Sequence, residues 1–152
     1  MSVILDTRTG ATGDYAAWVS AFATAWRSGR SSLLELMSLL SPDITLTAPG
    51  LRTTRGKVEG ESAFRRTFKV LPDLTGQVQR WSASGEVLFI EMTFSATIAG
   101  KRMTWRNVDR FLFRDGMAVE RVAFFDPGPI RSAFLSNPSG WLQLWHRVRS
   151  GL

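Results

Sequence analysis

Two carboxylates stand out in the second half of the chain. Asp109 and Asp126 sit in a region whose apolar residues recur at every second position, among them Trp81, Met92, Phe94, Trp105, Phe111 and Phe124. Period-two alternation puts one set of side chains on one face of a β-sheet. A carboxyl on an otherwise apolar face loses hydration. That favours the protonated form and suits the group to donate a hydrogen bond or to exchange a proton with a substrate. The competing reading of Asp109 is a bond to backbone or to an Arg that fixes a turn. Asp126, in Asp126-Pro127-Gly128-Pro129, is equally ordinary turn chemistry. Other chemistries are excluded by composition. There is no Cys, so thiol nucleophiles, disulfides and Cys-ligated zinc drop out. A single histidine, His146, leaves neither a His-rich metal site nor a Ser-His relay. No metal and no cofactor are expected.

The turns decide which side chains share the face of Asp109. Asp115-Gly116 is the strongest hairpin signal in the chain, because a two-residue type I′ turn needs positive φ at both positions. Counted back from it, Asp109 opposes Val122, Asn107 opposes Phe124 and Trp105 opposes Asp126. Turns near Ala99-Gly100-Lys101 and at Ser84-Gly85 add Ile90, Met92, Phe94, Gln79 and Trp81 to the same face. Glu91, Thr93, Ser95, Arg106, Arg110 and Arg121 fall on the other face. Asp109 and Asp126 are therefore the candidate acid/base groups. Trp81, Met92, Phe94, Trp105, Asn107 and Phe124 are the candidate ligand wall.

The elements that must hold this face follow from local signals. Residues 1–13, rich in Thr, Gly and Ala, read as a flexible arm. Asp14 is a plausible N-cap, Trp18, Phe22, Ala25 and Trp26 repeat at helical spacing, and Gly29 ends the run. Ser32-Leu33-Leu34-Glu35 resembles a capping box that opens a second helix through Leu40. Ile44 to Ala48 alternates as a strand, a polar loop runs to about Glu59, and Phe64, Phe68 and Leu71 stripe a third helix. Four strands follow, at about 76–83, 86–98, 102–113 and 117–125. Beyond 131, Trp141, Leu144, Trp145 and Val148 make a helical stripe. It seals the mouth of the domain, packs on a second subunit or packs on its own sheet. His146, Arg147 and Arg149 beside it admit a membrane-surface reading, which one short helix supports poorly. Helices first and a meander of strands after imply α+β, with the helices on one face of a curved antiparallel sheet.

The chain has 152 residues and a net charge of +6, carried by 16 Arg and three Lys. That length suits one domain with a real core. The basic balance does not imply nucleic acid. No basic run exceeds Arg65-Arg66, and phosphate binding needs several cations converging on one surface. Arg102, Arg106, Arg110 and Arg114 share a face at even spacing, which reads as a solvated or dimer-facing surface. No apolar run reaches the roughly 18–20 residues of a membrane span. The start of the chain lacks the pattern of a signal peptide. A cytoplasmic protein with no nucleic-acid or membrane partner is expected.

The order of elements, Leu71-Pro72-Asp73-Leu74, Asp109 to Gly116 and Phe124-Phe125-Asp126-Pro127 together resemble the SnoaL-like branch of the nuclear-transport-factor-2-like superfamily, over roughly residues 14–130. The resemblance implies a cone of three helices wrapped on a bent antiparallel sheet around an apolar cavity, commonly as a homodimer. It also implies a small apolar ligand, polyketide- or steroid-like and carbonyl-containing. Such a site can perform cofactor-free acid/base chemistry: aldol cyclisation, isomerisation or dehydration. Ketosteroid isomerase uses a Tyr in the first helix, a base Asp after the first strand and a protonated sheet Asp. Here these positions hold Phe22 (which joins the candidate ligand-binding residues), Ala48 and Asp109. The lone Tyr of the chain, Tyr15, is not at that position. Limonene-epoxide hydrolase has an Asp matching Asp126, but its Arg-x-Asp pair falls on Ile90 and Met92. A SnoaL-type cyclase needs only a carboxyl acid/base in a shaped pocket, a role open to Asp109 or Asp126. A non-catalytic binder and a dimerisation module of the same fold are the alternatives.

Overall fold

The computed structural model describes residues 12–137. Helix α1, Thr12–Ser28, is followed by a 3-10 turn, Gly29–Ser32, and a short helix α2, Leu33–Ser38. Strands β1 (Leu40–Thr47) and β2 (Thr54–Arg55) precede helix α3, Lys57–Val70. Then come β3 (Thr75–Ser84), β4 (Val87–Ile98), β5 (Lys101–Arg114), β6 (Met117–Phe124) and α4 (Gly128–Leu135). The expected α+β order is therefore present among the described residues, with three helices ahead of the β3–β6 strands, the short α4 after them, and a sheet that is not closed. The arm expected at 1–13 and the stripe from Trp141 to Val148 lie outside the described residues, apart from Thr12 and Gly13, which open α1. That helix starts ahead of Asp14. Ser32 stands before α2 but makes no side-chain capping bond. No helix among the described residues is long and apolar enough to cross a membrane.

The helices bury the faces their spacing set. Trp18, Phe22 and Trp26 lie one or two turns apart on α1, and Phe64 and Phe68 one turn apart on α3. The α1 rings pack on the inner face of β4 and β5, with Phe22 at 5.4 Å from Phe111 and Trp26 at 4.7 Å from Phe94, and the α3 rings pack on Trp26. Gly29 makes the close return from α1 possible. Its φ is +60°, and a Cβ there would lie 2.4 Å from the carbonyl oxygen of Leu74. The lone Tyr15 is buried against Phe113 and donates its hydroxyl to the carbonyl of Gly85 at 2.9 Å, which pins α1 to the β3–β4 turn. The loop after α3 is tied in by Asp73. Its carboxylate accepts from the backbone N–H and hydroxyl of Thr97 and from Arg102.

The strands run in the order β2-β1-β6-β5-β4-β3. The sheet is mixed rather than wholly antiparallel, because β6 returns alongside β1 in the same direction. Ala99-Gly100 and Asp115-Gly116 are both two-residue turns with positive φ at each position, which the type I′ geometry imposes even on Ala99. The turn expected at Ser84-Gly85 lies at Gly85-Glu86, since Ser84 pairs with Val87.

Two bulges revise the face assignment. In β3, Arg80 pairs with Glu91 but Val78 pairs with Met92, so Gln79 has no partner and is exposed. Val78 packs on the core in its place. In β6, Ala118 pairs with Phe113 but Glu120 pairs with Leu112, so Val119 is the extra residue. One inserted residue reverses the facing of everything beyond it. Asp109 therefore opposes Ala123, not Val122, and Phe124 pairs with Val108 on the outer face, 53% exposed. Arg121, expected outside, faces inward opposite Phe111. Phe124 is withdrawn from the ligand wall on this ground.

Candidate functional site

The inward turn of Arg121 builds a polar cluster in the middle of the core. Asp109, on β5, is 0% exposed. Its Oδ1 accepts from Nδ2 of Asn107, two residues away on the same strand and face, at 2.9 Å. Its Oδ2 accepts from Nη2 of Arg121 on β6 at 2.8 Å. A carboxylate with a guanidinium at that distance is half of an ion pair, so Asp109 is not the isolated neutral carboxyl the sequence suggests. The guanidinium lies beside a pair of touching rings, with Cζ at 5.8 Å from the centroids of both Trp26 on α1 and Phe64 on α3, which are 5.9 Å from each other. Each carboxylate oxygen of Asp109 thus has one side-chain donor and a further lone pair to offer.

Three atoms of this cluster are buried with no hydrogen-bond partner: Nε1 of Trp26, Oδ1 of Asn107 and Nε of Arg121. Buried polar atoms are nearly always paired, and leaving one unpaired costs about 1–3 kcal/mol. Oγ1 of Thr54 and Nε of Arg110, away from the cluster, are buried and unpaired as well.

The predicted wall residues separate into those around the cluster and those away from it. Met92, paired with Asn107, and Phe94, paired with Trp105, are buried on the face of Asp109. Phe94 lies 5.9 Å from the half-buried Trp105, so Trp26, Phe94 and Trp105 form a chain of rings from the cluster toward the surface. Trp81, paired with Ile90, is half-buried at the same sheet. Phe22 is stacked on Trp18 and is fully part of the core. Asp126 stands apart. It is exposed beyond the end of β6, and its Oδ1 accepts the backbone N–H of Gly128 at 2.8 Å, the turn role its sequence allows. Two open depressions are lined elsewhere. One of about 490 Å³ lies on the outer face by Thr45, Leu112, Met117 and Glu120, and one of about 220 Å³ lies by Arg27, Gly76 and Gln77.

Sequence reasoning missed Arg121, Trp26 and Phe64 as members of the site. A signal for Arg121 does exist. In Met117 to Phe124 neither alternate set is uniformly apolar, the mark of a strand whose facing changes partway.

The model of the SnoaL-like domain family matches residues 19–121. The chain belongs to the SnoaL-like family. No curated protein matches the sequence significantly. Among solved structures, this SnoaL-like chain is similar to a SnoaL-like polyketide cyclase candidate from Jannaschia sp. CCS1, at TM-score 0.76 and 14% identity over 88% of this chain and 99% of that one. An NTF2-like protein of unknown function from Burkholderia pseudomallei follows at 0.69 and 23%, over 77% and 94%. An LEH-like epoxide hydrolase of M. tuberculosis follows at 0.65 and 18%, over 86% and 96%. At such identities the likeness establishes the shared fold.

Proposed function

We propose that this SnoaL-like domain binds a small apolar, carbonyl-containing molecule, polyketide- or steroid-like, at the Asn107–Asp109–Arg121 cluster, and performs cofactor-free acid/base chemistry on it. One observation carries the reading: the buried Asp109–Arg121 ion pair, with an unpaired polar atom on Arg121 itself and on each of Trp26 and Asn107. In that reading Asp109 takes a proton from carbon beside the carbonyl. The N–H groups of Arg121 and Trp26 stabilise the enolate oxygen that develops. The enolate then closes an aldol ring or is reprotonated elsewhere. Phe94, Trp105, Met92 and Trp81 supply the apolar wall. The working form is a cytoplasmic homodimer joined through the outer face of the sheet, where Phe89, Met117 and Phe124 are exposed. Polyporic acid was co-crystallised with the related TerC, whose match covers 79% of this chain and 97% of that one at TM-score 0.67 and 20% identity.

The test is turnover of a linear poly-β-ketone analogue by wild type and by Asp109→Asn. Asp109→Asn should lose at least about a hundredfold in rate, in line with removal of a general acid/base, while circular dichroism stays native. Unchanged turnover rules the chemistry out. A second reading, binding without catalysis, is favoured by the absence of the isomerase groups. Phe22 and Met92, at two of the relatives' catalytic positions, are apolar core residues here. It predicts ligand binding with no turnover in either protein.

A further inference from the structure

The smaller of the two depressions has a chemistry of its own. Its volume is about 220 Å³, and Arg27, Thr75, Gly76, Gln77, Thr93 and Ser95 line it. It stands at the edge strand β3, where Thr93 and Ser95 alternate with the buried Met92 and Phe94 and so face away from the Asp109 cluster. The pairs Thr75–Ser95 and Gln77–Thr93 set three hydroxyls and an amide side by side. Arg27, in the last turn of α1, completes the lining from the helix. No lining residue is acidic. Among the described residues, the side chains of Thr75, Gln77 and Thr93 have no hydrogen-bond partner, and Ser95 shares one bond with Thr104. Arg27 donates only to the hydroxyl of Thr24, at 3.3 Å.

The charges around the hollow are sorted. Two carboxylates stand two residues from its lining, Glu91 before Thr93 and Asp73 before Thr75, and both are already paired, with Arg80 at 2.9 Å and with Arg102 at 3.0 Å. Arg106, opposite Thr93 on β5, is exposed and has no carboxylate partner among the described residues, and neither has Arg27. The positive charge left over therefore rests on two guanidiniums beside one row of hydroxyls. Hydroxyls and a carboxamide can donate or accept, so the guanidiniums decide the sign, and the hollow suits an anion. A carboxylate offers two oxygens in one plane. A phosphoryl group offers three or more spread in space, to donors that come here from α1, β3 and β4. We infer that this hollow binds a phosphoryl group, as inorganic phosphate or as a phosphate monoester. The site is separate from the chemistry proposed for the inner face and stands or falls without it.

The probe is inorganic phosphate, titrated into the full chain at neutral pH, with sodium chloride at matched ionic strength as the control. The amide resonances of Gly76, Gln77 and Thr93 should shift and saturate with phosphate and not with chloride. The Nε–H resonance of Arg27, assigned by its loss in Arg27→Gln, should move with them. Arg27→Gln, at an exposed position, should weaken phosphate binding about tenfold, the worth of one charge-assisted hydrogen bond. Thr93→Val, which keeps the shape and removes the hydroxyl, should weaken it severalfold. Arg114→Gln, at the larger depression, should leave it unchanged. Methyl phosphate separates the two sources: tighter binding than inorganic phosphate supports an esterified ligand, and weaker binding supports the free ion. Acetate binding as tightly as phosphate overturns the phosphoryl assignment. Shifts that fail to saturate, that chloride reproduces, or that persist unweakened in Arg27→Gln overturn the site.

Discussion

Asp109 and Arg121 form a pair whose members need each other. Arg121 keeps only 12% of its side-chain surface in solvent, so removing its partner leaves a nearly buried guanidinium uncompensated. Asp109→Ala should therefore cost about 3 kcal/mol in urea unfolding, whereas Asp109→Leu with Arg121→Met, which removes both charges, should recover most of that loss. Recovery of stability without recovery of turnover would separate the structural role of the pair from its proposed chemistry. Tyr15 offers a second measurement. Its hydroxyl pKa is raised, first by burial and then by the nearby negative charge of Glu86. A raised folded value means that the protonated phenol favours the unfolded chain less than the phenolate does: ionisation above the ordinary range near 10 draws the protein toward unfolding. As the lone tyrosine, it can be followed by phenolate absorbance, whose midpoint should lie at higher pH in the folded chain than in the urea-unfolded one. Equal midpoints in the folded and unfolded chains would contradict this. Much of the residue-level picture is legible from sequence alone: Asn107, Asp109, Met92 and Phe94 share a face because uninterrupted alternation within one strand and across a tight turn carries the information. Arg121 is not legible, since its facing depends on one unpaired residue, Val119, whose side chain is as suited to regular strand as to bulge.

At the scale of elements, the periodic signals and the turn dipeptides locate the helices and strands closely, because each rests on local chemistry. What they miss are choices made by long-range pairing. Leu40 and Ser41-Pro42, read as the end of a helix, belong to β1, where the pairing with β6 is irregular between Leu40 and Thr45 and Pro42 costs no regular ladder bond. Two junctions between elements can be tested. Gly29→Ala places a Cβ against the carbonyl of Leu74 at a positive φ, so it should destabilise by at least about 2 kcal/mol in thermal or urea unfolding. A neutral result would show that the α1 end moves freely from the β3 approach. Asp73 carries the other junction. Hydrogen bonds from the Thr97 hydroxyl and backbone, aided by Arg102, hold its carboxyl below the usual value of 3.8. A lowered folded value contributes stability above the ordinary range that is lost as pH falls through the folded value. Asp73→Asn should thus cost about 1 kcal/mol at pH 7, a figure kept small because the carboxylate is 41% exposed, and the cost should shrink below pH 3.8. A pH-independent difference between the two proteins would contradict the assignment.

For the whole molecule, the basic charge has a plain account. Of the evenly spaced arginines on the outer face, Arg102 is paired with Asp73 and Arg110 with Glu120. The same face exposes Phe89, next to Arg110, and Phe124, next to Val108. The proposed dimer predicts twice the monomer mass in light scattering, and Phe89→Lys with Phe124→Lys should return it to a monomer with native circular dichroism. A wild-type monomer at high micromolar concentration would dismiss the dimer. The parallel contact between β1 and β6 has a consequence for the making of the protein. β1 lies early in the chain and its only long neighbour is β6, so the sheet cannot be assembled until residue 124 has been synthesised. During synthesis the side chains of Ile44 and Leu46 can be covered early by α3, but the backbone edge of β1 waits for β6. Contacts so distant in sequence fold slowly. A truncation just before Met117 should therefore yield an insoluble product rather than a smaller folded one.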